Sequence, residues 1–320
     1  LRTTTIGAEA RVNHFYKNGG AKAVLAEVRR MEKDYVKSAY IKLLLKKNLS
    51  TNDLVHVIET AGKQIKSDHY LSQILKSNQK AFLKNDRTIT AYINATETIK
   101  SDHYASQVLK TVIKDKNISD KQMGTLLKIS RTIKSDHYLS GILKEIMNNR
   151  KLNDANIQKV LELSRKMISS HYKSVVLKKA LKTKNLSSNA QEAFLNSVGD
   201  IKSDHYSSSI INELLNNNKL SDKSLTRILE MVQKNIKSSH YTSNIFKKLS
   251  KSDNLTERQL ILVIQTASKS IKSSHYLSTV LVALSKKVNK SSEKVKSAYR
   301  SAAKMIKSDT YYGRVMKALD

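Results

Sequence analysis

Cysteine, proline and tryptophan are all absent from this chain of 320 residues. The first absence excludes a disulfide framework and any thiolate metal site. The second, together with only eight glycines, excludes most sharp kinks and long irregular loops. No apolar run approaches the ~18 residues of a membrane span. The opening Leu1-Arg2-Thr3-Thr4-Thr5 has neither an initiator methionine nor the apolar core of a signal peptide. It reads as the start of a fragment or processed chain whose address lies upstream. Walker loops, dinucleotide fingerprints and zinc-protease motifs are missing as well.

What the chain has is repetition. Ser67-Asp68-His69-Tyr70 returns as Ser101-Asp102-His103-Tyr104, Ser135-Asp136-His137-Tyr138 and Ser203-Asp204-His205-Tyr206. Near variants are Ser169-Ser170-His171-Tyr172, Ser238-Ser239-His240-Tyr241, Ser273-Ser274-His275-Tyr276 and Ser308-Asp309-Thr310-Tyr311, with a degenerate copy at Lys33-Asp34-Tyr35. Counted from Asp34, the period is 34 residues for five steps and 35 for three. A fixed period in this range marks a stacked repeat protein and outweighs the length prior of about two globular domains.

Each unit reads as a helical hairpin. After Ser101 and Asp102, the apolar positions Tyr104, Val108, Leu109, Val112 and Ile113 lie on one helical face. Ser101 suits the N-cap, and Asp102 suits the positive end of the helix dipole. The helix should run to about Lys116-Asn117, with sister copies ending at Asn148-Asn149 and Asn216-Asn217-Asn218. Ile118-Ser119-Asp120 opens a second helix with Met123, Leu126, Leu127, Ser130 and Ile133 inward and Lys134 at its close. Ser187, Ser221 and Thr256 open sister copies, and the extra residue of the last three periods should fall in this second helix.

Two further columns support stacking. A small residue stands four places after each motif aspartate: Ser38, Ser72, Ser106, Ser140, Ser174, Ser208, Ser243, Ser278 and Gly313. An apolar pair follows two places later, as in Ile74-Leu75, Val176-Leu177 and Val315-Met316. A lone hairpin cannot bury such pairs, so neighbours must. Ahead of the array, residues 8–17 and 21–30 read as two helices separated at Asn18-Gly19-Gly20.

The motif invites catalytic and metal readings. Contiguous Ser, Asp and His splay around a helix start, whereas a catalytic triad needs spatial convergence. Three copies also replace Asp with Ser170, Ser239 or Ser274. Helices stack ~8–10 Å apart and zinc needs ligands ~2 Å away, so successive histidines should not share an ion. The expectation is therefore no catalytic residue, no metal and no cofactor. The histidines should pack across the repeat junction, and the tyrosines should sit in the core with their hydroxyls on polar partners.

Charge is the remaining signal. Lys and Arg number 58 against 27 Asp and Glu, a net +31, yet only twelve are Arg. Excess of this size points to nucleic acid or simply to a solvated surface. Phosphate and base recognition favours the arginine fork, so solubilisation is the preferred reading. The column Lys66, Lys100, Lys134, Lys202, Lys237, Lys272 and Lys307 should match helix-end charge first and offer a partner surface second.

The pattern Ile-x-Ser-Asp-(His or Tyr)-x-x-(Ser or Ala)-x-Val-Leu resembles the "SDY" helical repeats of uncharacterised bacterial envelope proteins. The opening Ala10-Arg11-Val12, Gly19-Gly20, Val24-Leu25-Ala26-Glu27 and Ser38-Ala39-Tyr40 resembles their lead-in. The likeness spans nearly the whole chain. It departs where His stands for the more usual Tyr and Tyr for an acid. It implies a fold and an extracytoplasmic or periplasmic location, with a cytoplasmic one as the alternative, but no activity. In length the unit also resembles a tetratricopeptide repeat without its Trp and Pro, so HEAT-like or TPR-like describes it better.

The sequence therefore predicts an all-α, right-handed α-solenoid of about eight to nine hairpins, with residues 1–32 as an N-terminal cap and 33–320 as one continuous array. It predicts a monomeric, non-enzymatic scaffold that presents its concave face to a protein or peptide. The scaffold reading expects any binding to nucleic acid to be weak and nonspecific; the alternative is a basic solenoid that binds one form of nucleic acid tightly at physiological salt.

Overall fold

The computed structural model describes residues 2–115, 118–149, 152–183, 186–217, 221–252 and 255–319. The predicted stop at Lys116-Asn117, and Asn218, lie outside these. Every regular element among the described residues is a helix. The chain forms two compact units, Leu1–Leu163 and Ser164–Asp320.

In the first unit α1 (Ala8–Arg29) precedes the hairpins α2 (Asp34–Leu44)/α3 (Thr51–Gln64), α4 (Asp68–Ser77)/α6 (Asp86–Glu97), α7 (Asp102–Ile113)/α8 (Asp120–Ser130) and α9 (Asp136–Asn149)/α10 (Asp154–Lys166). A single short turn, α5 (Gln79–Phe82), bridges α4 and α6. In the second unit the hairpins are α11 (Ser170–Leu181)/α12 (Ser188–Gly199), α13 (Asp204–Asn217)/α14 (Asp222–Asn235), α15 (Ser239–Ser250)/α16 (Glu257–Ser270) and α17 (Ser274–Val288)/α18 (Glu293–Ala303). A lone α19 (Asp309–Lys317) follows.

The first helices of successive hairpins pack on one another, α2 on α4 on α7 on α9 and α11 on α13 on α15 on α17 on α19. The second helices do the same, α1 on α3 on α6 on α8 and α12 on α14 on α16 on α18. Each unit is thus an A layer of motif-bearing helices over a B layer, which is an α-solenoid built from hairpins. The repeated apolar pairs fill the space between layers: Ile74, Leu75, Val108, Leu109, Ile142, Leu143, Val176, Leu177, Ile245 and Phe246 are completely buried. Each such side chain contributes ~1.5–3 kcal/mol relative to exposure, which is the main stabilising force here.

The serine column is buried in every copy from Ser38 to Ser278, while Gly313 is open. The hydroxyls do not reach the neighbouring helix. Ser72 Oγ donates to the His69 carbonyl at 2.9 Å, and the other motif serines from Ser106 to Ser278 repeat this bond to the histidine carbonyl three residues back. In these copies the side chain folds back on its own helix, so it is both small and polar-satisfied at the crossing, whereas the Ser38 hydroxyl is buried without a hydrogen-bond partner among the described residues. Among the described residues nothing lies within 4 Å of the Gly313 Cβ position.

α1 folds back at Gly19-Gly20, as the sequence predicts. Gly20 has φ 60° and ψ −157°, a region open essentially to glycine alone. The arm before the kink meets α2, where Arg11 lies over the Tyr40 ring and bonds its hydroxyl. The arm after it meets α3 through Arg29 and Thr60. α1 is therefore a hairpin in its own right.

Two local expectations are corrected. Lys134 does not close α8. That helix ends at Ser130 and tightens through i→i−3 bonds to Ile133, leaving Lys134 exposed in an extended junction. The extra residue of the longer periods does lie in α14 and α16, which run as α-helix straight into Ile236 and Ile271. In the last period it lies instead in the first helix, α17, which reaches 15 residues.

Candidate functional site

The N-termini of the two layers differ in most copies, although Ser292 of the B layer makes no side-chain cap bond. Ser50, Ser119, Ser187, Ser221 and Thr256 cap B-layer helices with their side chains. At the A layer, Ser67, Ser101, Ser238, Ser273 and Ser308 occupy the N-cap in extended conformation but make no side-chain cap bond, which corrects the capping expectation in those copies, whereas Ser169 does accept from the Tyr172 backbone N–H, at 3.5 Å. The aspartate acts between hairpins instead. Asp34 accepts from the backbone N–H groups of Lys66 and Ser67 at 2.8 and 2.6 Å, Asp68 from Lys100 and Ser101, Asp102 from Lys134 and Ser135, and Asp204 from Lys237 and Ser238. Ser239 keeps the same pair of bonds, to Lys272 and Ser273, at 3.1 and 3.3 Å. The extended tripeptide of each junction has no helical partner for these N–H groups, so the preceding hairpin supplies one.

The lysine column is exposed at Lys66, Lys100, Lys134, Lys202, Lys237, Lys272 and Lys307. The ammonium groups of Lys237 and Lys272 reach the last turn of the preceding helix, donating to the Lys234 and Lys269 carbonyls at 2.9 and 3.1 Å. That is the predicted match of cation to helix end. Ile168 takes the lysine's place in one copy and is 95% exposed.

The motif histidines and tyrosines form an edge-to-face ladder in each unit. His69, His103 and His137 each stand against their own tyrosine with centroids 5.1–5.2 Å apart. His69 and His103 also meet the tyrosine of the next hairpin, Tyr104 and Tyr138, at 5.7 and 5.8 Å, with Nδ1 3.1 Å from its hydroxyl. The second unit has its own ladder, from Tyr172 through His171, Tyr206, His205, Tyr241, His240, Tyr276 and His275 to Tyr311. The histidines do span the repeat junction. The tyrosines differ from expectation. They are half-buried, and the histidines are exposed, so the ladder lies on the outer face of the A layer.

This geometry decides what the motif can do. Asp102 is spent on backbone N–H groups, and His103 is spent on Tyr138 and Gln107. Serine, histidine and aspartate of one motif do not converge. Among the described residues no group of three or more His, Asp or Glu could hold a metal ion.

The A-layer face is also basic. Beyond their first turns its helices carry only two acids, Glu145 and Glu213, whereas the B layer exposes Glu59, Glu97, Glu162, Glu192 and Glu230. A lysine recurs eight places after the motif aspartate position at Lys42, Lys76, Lys110, Lys144, Lys178, Lys247 and Lys317. The sequence reading overlooked this column, although its period was legible. Lys37 and Lys173, buried at equivalent positions, reach the Gln64 and Asp200 carbonyls at the ends of their hairpins.

The B layer has its own staples. Asp86 and Asp222 accept from Gln122 and Gln259 of the following B helix. Glu257 accepts from the Ser292 backbone N–H and hydroxyl at 2.6 and 2.7 Å, which holds its carboxyl below the usual glutamate value. Burial pushes the Tyr92 and Tyr299 hydroxyls well above the ordinary tyrosine range, and both serve packing. A cleft of about 470 Å³ beside α12 and α14 is lined by Arg165, Asp200, Arg227 and Lys234, with Arg165 paired to Asp200 at 2.7 Å and Arg227 bonded to Asn196.

These features define a class, an all-helical repeat protein whose hairpins are stapled in both layers. No protein family matches the chain, and no curated protein matches it. Five chains of known structure match. One, described as "Computational Design of Self-Assembling Cyclic Protein Homooligomers", is 8% identical over 98% of this chain and 98% of its own, with a TM-score of 0.16. At that score the likeness carries no argument about fold or assembly.

Proposed function

We propose that this chain is a non-enzymatic interaction scaffold that presents the outer face of its A layer to a protein or peptide. One observation carries the reading: the same exposed histidine and lysine positions recur hairpin after hairpin, on a face whose aspartates are withdrawn into the junctions. Repeat proteins bind through extended surfaces of this kind. The motif's serine, aspartate and histidine being separately engaged supports the non-enzymatic part. The resemblance to SDY repeats supports placing the chain in the extracytoplasmic part of a larger bacterial envelope protein.

The net charge of +31 favours nucleic acid as the second reading. Photo-crosslinking separates the two. A photoreactive residue replaces Gln107 on the A face or Glu97 on the B face, in the source organism. The scaffold reading expects the A-face probe to capture one defined polypeptide that rebinds as a purified protein. Capture of nucleic acid alone, or the same products from both faces, defeats it.

A further inference from the structure

The A face of the first unit carries a row of lysines whose charge has no carboxylate partner among the described residues. Lys42 Nζ donates to Gln73 Oε1 at 2.6 Å, and Lys76 Nζ donates to Gln107 Oε1 at 2.7 Å. With its oxygen so used, each glutamine turns its amide nitrogen to a histidine. Gln73 Nε2 lies 2.9 Å from His69 Nε2, and Gln107 Nε2 lies 2.9 Å from His103 Nε2. An amide nitrogen only donates, so that histidine nitrogen accepts, and Nδ1–H donates to the tyrosine of the next hairpin. Each relay of lysine, glutamine, histidine and tyrosine is neutral except at its ammonium end. The ammonium has three donors and uses one.

The third member of the row is built differently. Gly141 stands where Gln73 and Gln107 stand in earlier hairpins, and a Cβ there would come within 2.9 Å of Lys110 Nζ. Glycine therefore leaves room for Lys110 to lie across the next helix. Lys144 continues the row on α9. The single acid of this face beyond the first turns, Glu145, lies 3.8 Å from Lys114.

We infer that this row binds an extended acidic polypeptide segment, with carboxylates meeting Lys42, Lys76, Lys110 and Lys144 in turn. The inference rests on the scaffold reading and names its partner. Stacked helices lie ~8–10 Å apart, and an extended chain advances ~3.3–3.6 Å per residue, so about every third residue reaches the next lysine. Nucleic acid fits less well. Base stacking needs open ring faces, but the rings of His69, Tyr104 and His103 are engaged edge-to-face along the row. Helices α2, α4, α7 and α9 also contain no arginine to fork a phosphate.

The test uses the full chain and a fluorescent poly-glutamate peptide of about twelve residues, long enough for four lysines. Binding is followed by anisotropy at about 150 mM salt, where exposed charges are largely screened. The variant Lys42→Gln/Lys76→Gln/Lys110→Gln is compared with the charge-matched B-layer variant Lys63→Gln/Lys121→Gln/Lys128→Gln, each checked for an unchanged urea midpoint. The row variant should weaken binding about tenfold or more and the B-layer variant less than about twofold. Equal losses from both, no peptide binding by the parent chain, or displacement of the peptide by oligothymidine of equal charge at lower concentration overturns the inference. A crosslinked protein partner without an acidic segment also overturns it, while leaving the scaffold reading intact.

Discussion

Asp102 reaches out of its own hairpin to accept a 2.7 Å hydrogen bond from the backbone N–H of Ser135, the first residue of the next motif. Successive helices are joined by a charge-assisted bond at a point where the backbone has no helical partner. Asp34, Asp68 and Asp204 repeat the arrangement.

Removing this acceptor should weaken the junction. Asp102→Ala leaves two backbone N–H groups without a protein partner and should cost about 1–2 kcal/mol. Asp102→Ser should cost less, because Ser239 makes the equivalent bonds in its own hairpin. Urea titration of the three proteins reads the order directly. Equal midpoints for Asp102→Ala and the parent would show that the junction gains nothing from the carboxylate.

The small-residue column should reject bulk where a helix stacks and accept it where open space surrounds the position. Ser106→Leu or Ser140→Leu should destabilise by ~1–3 kcal/mol through overpacking. Gly313→Ala should be neutral or stabilising by up to ~1 kcal/mol, since open space surrounds it and alanine is the better helix former. Thermal melts compare the three. A tolerated leucine at Ser140 would place that crossing elsewhere.

Glu257 ties stability to acidity. Its carboxyl is held below the ordinary value of 4.5 in the folded state, chiefly by the Ser292 backbone N–H and then by the Ser292 hydroxyl. A lowered folded-state value means the unfolded chain takes up the proton first. The contribution is therefore complete above the unfolded value and disappears as pH falls through the lowered one. Glu257→Gln should be less stable than the parent near neutrality, and the difference should shrink below about pH 4.5. Urea titrations across that range check the sign; a gap that widens on acidification contradicts it.

Binding of nucleic acid should be weak, indifferent to sequence and steeply lost between ~50 and ~200 mM salt, since counterion release would supply its driving force. Gel shifts with duplex and single-stranded probes at both salt concentrations test this. Tight, form-selective binding at the higher salt would promote the second reading over the scaffold.

The division between sequence and tertiary structure follows from range. The 34- and 35-residue period, the apolar pairs and the serine column could be read directly, because a stacked repeat writes its core into every copy. Hairpins, B-layer caps and the Gly19-Gly20 kink depend on a few neighbouring residues and were legible for the same reason. The motif's outward half was not. Whether Asp102 caps its own helix or staples Ser135, and whether Tyr104 enters the core or leans on His69, depends on where the adjacent hairpin comes to rest. Partners 33 and 35 residues apart leave no local signal that separates these choices. The lysine row was visible as a column of letters. Only the packed A layer put Lys42 on Gln73 and Gln73 on His69, and so showed a positive charge left without a carboxylate partner among the described residues.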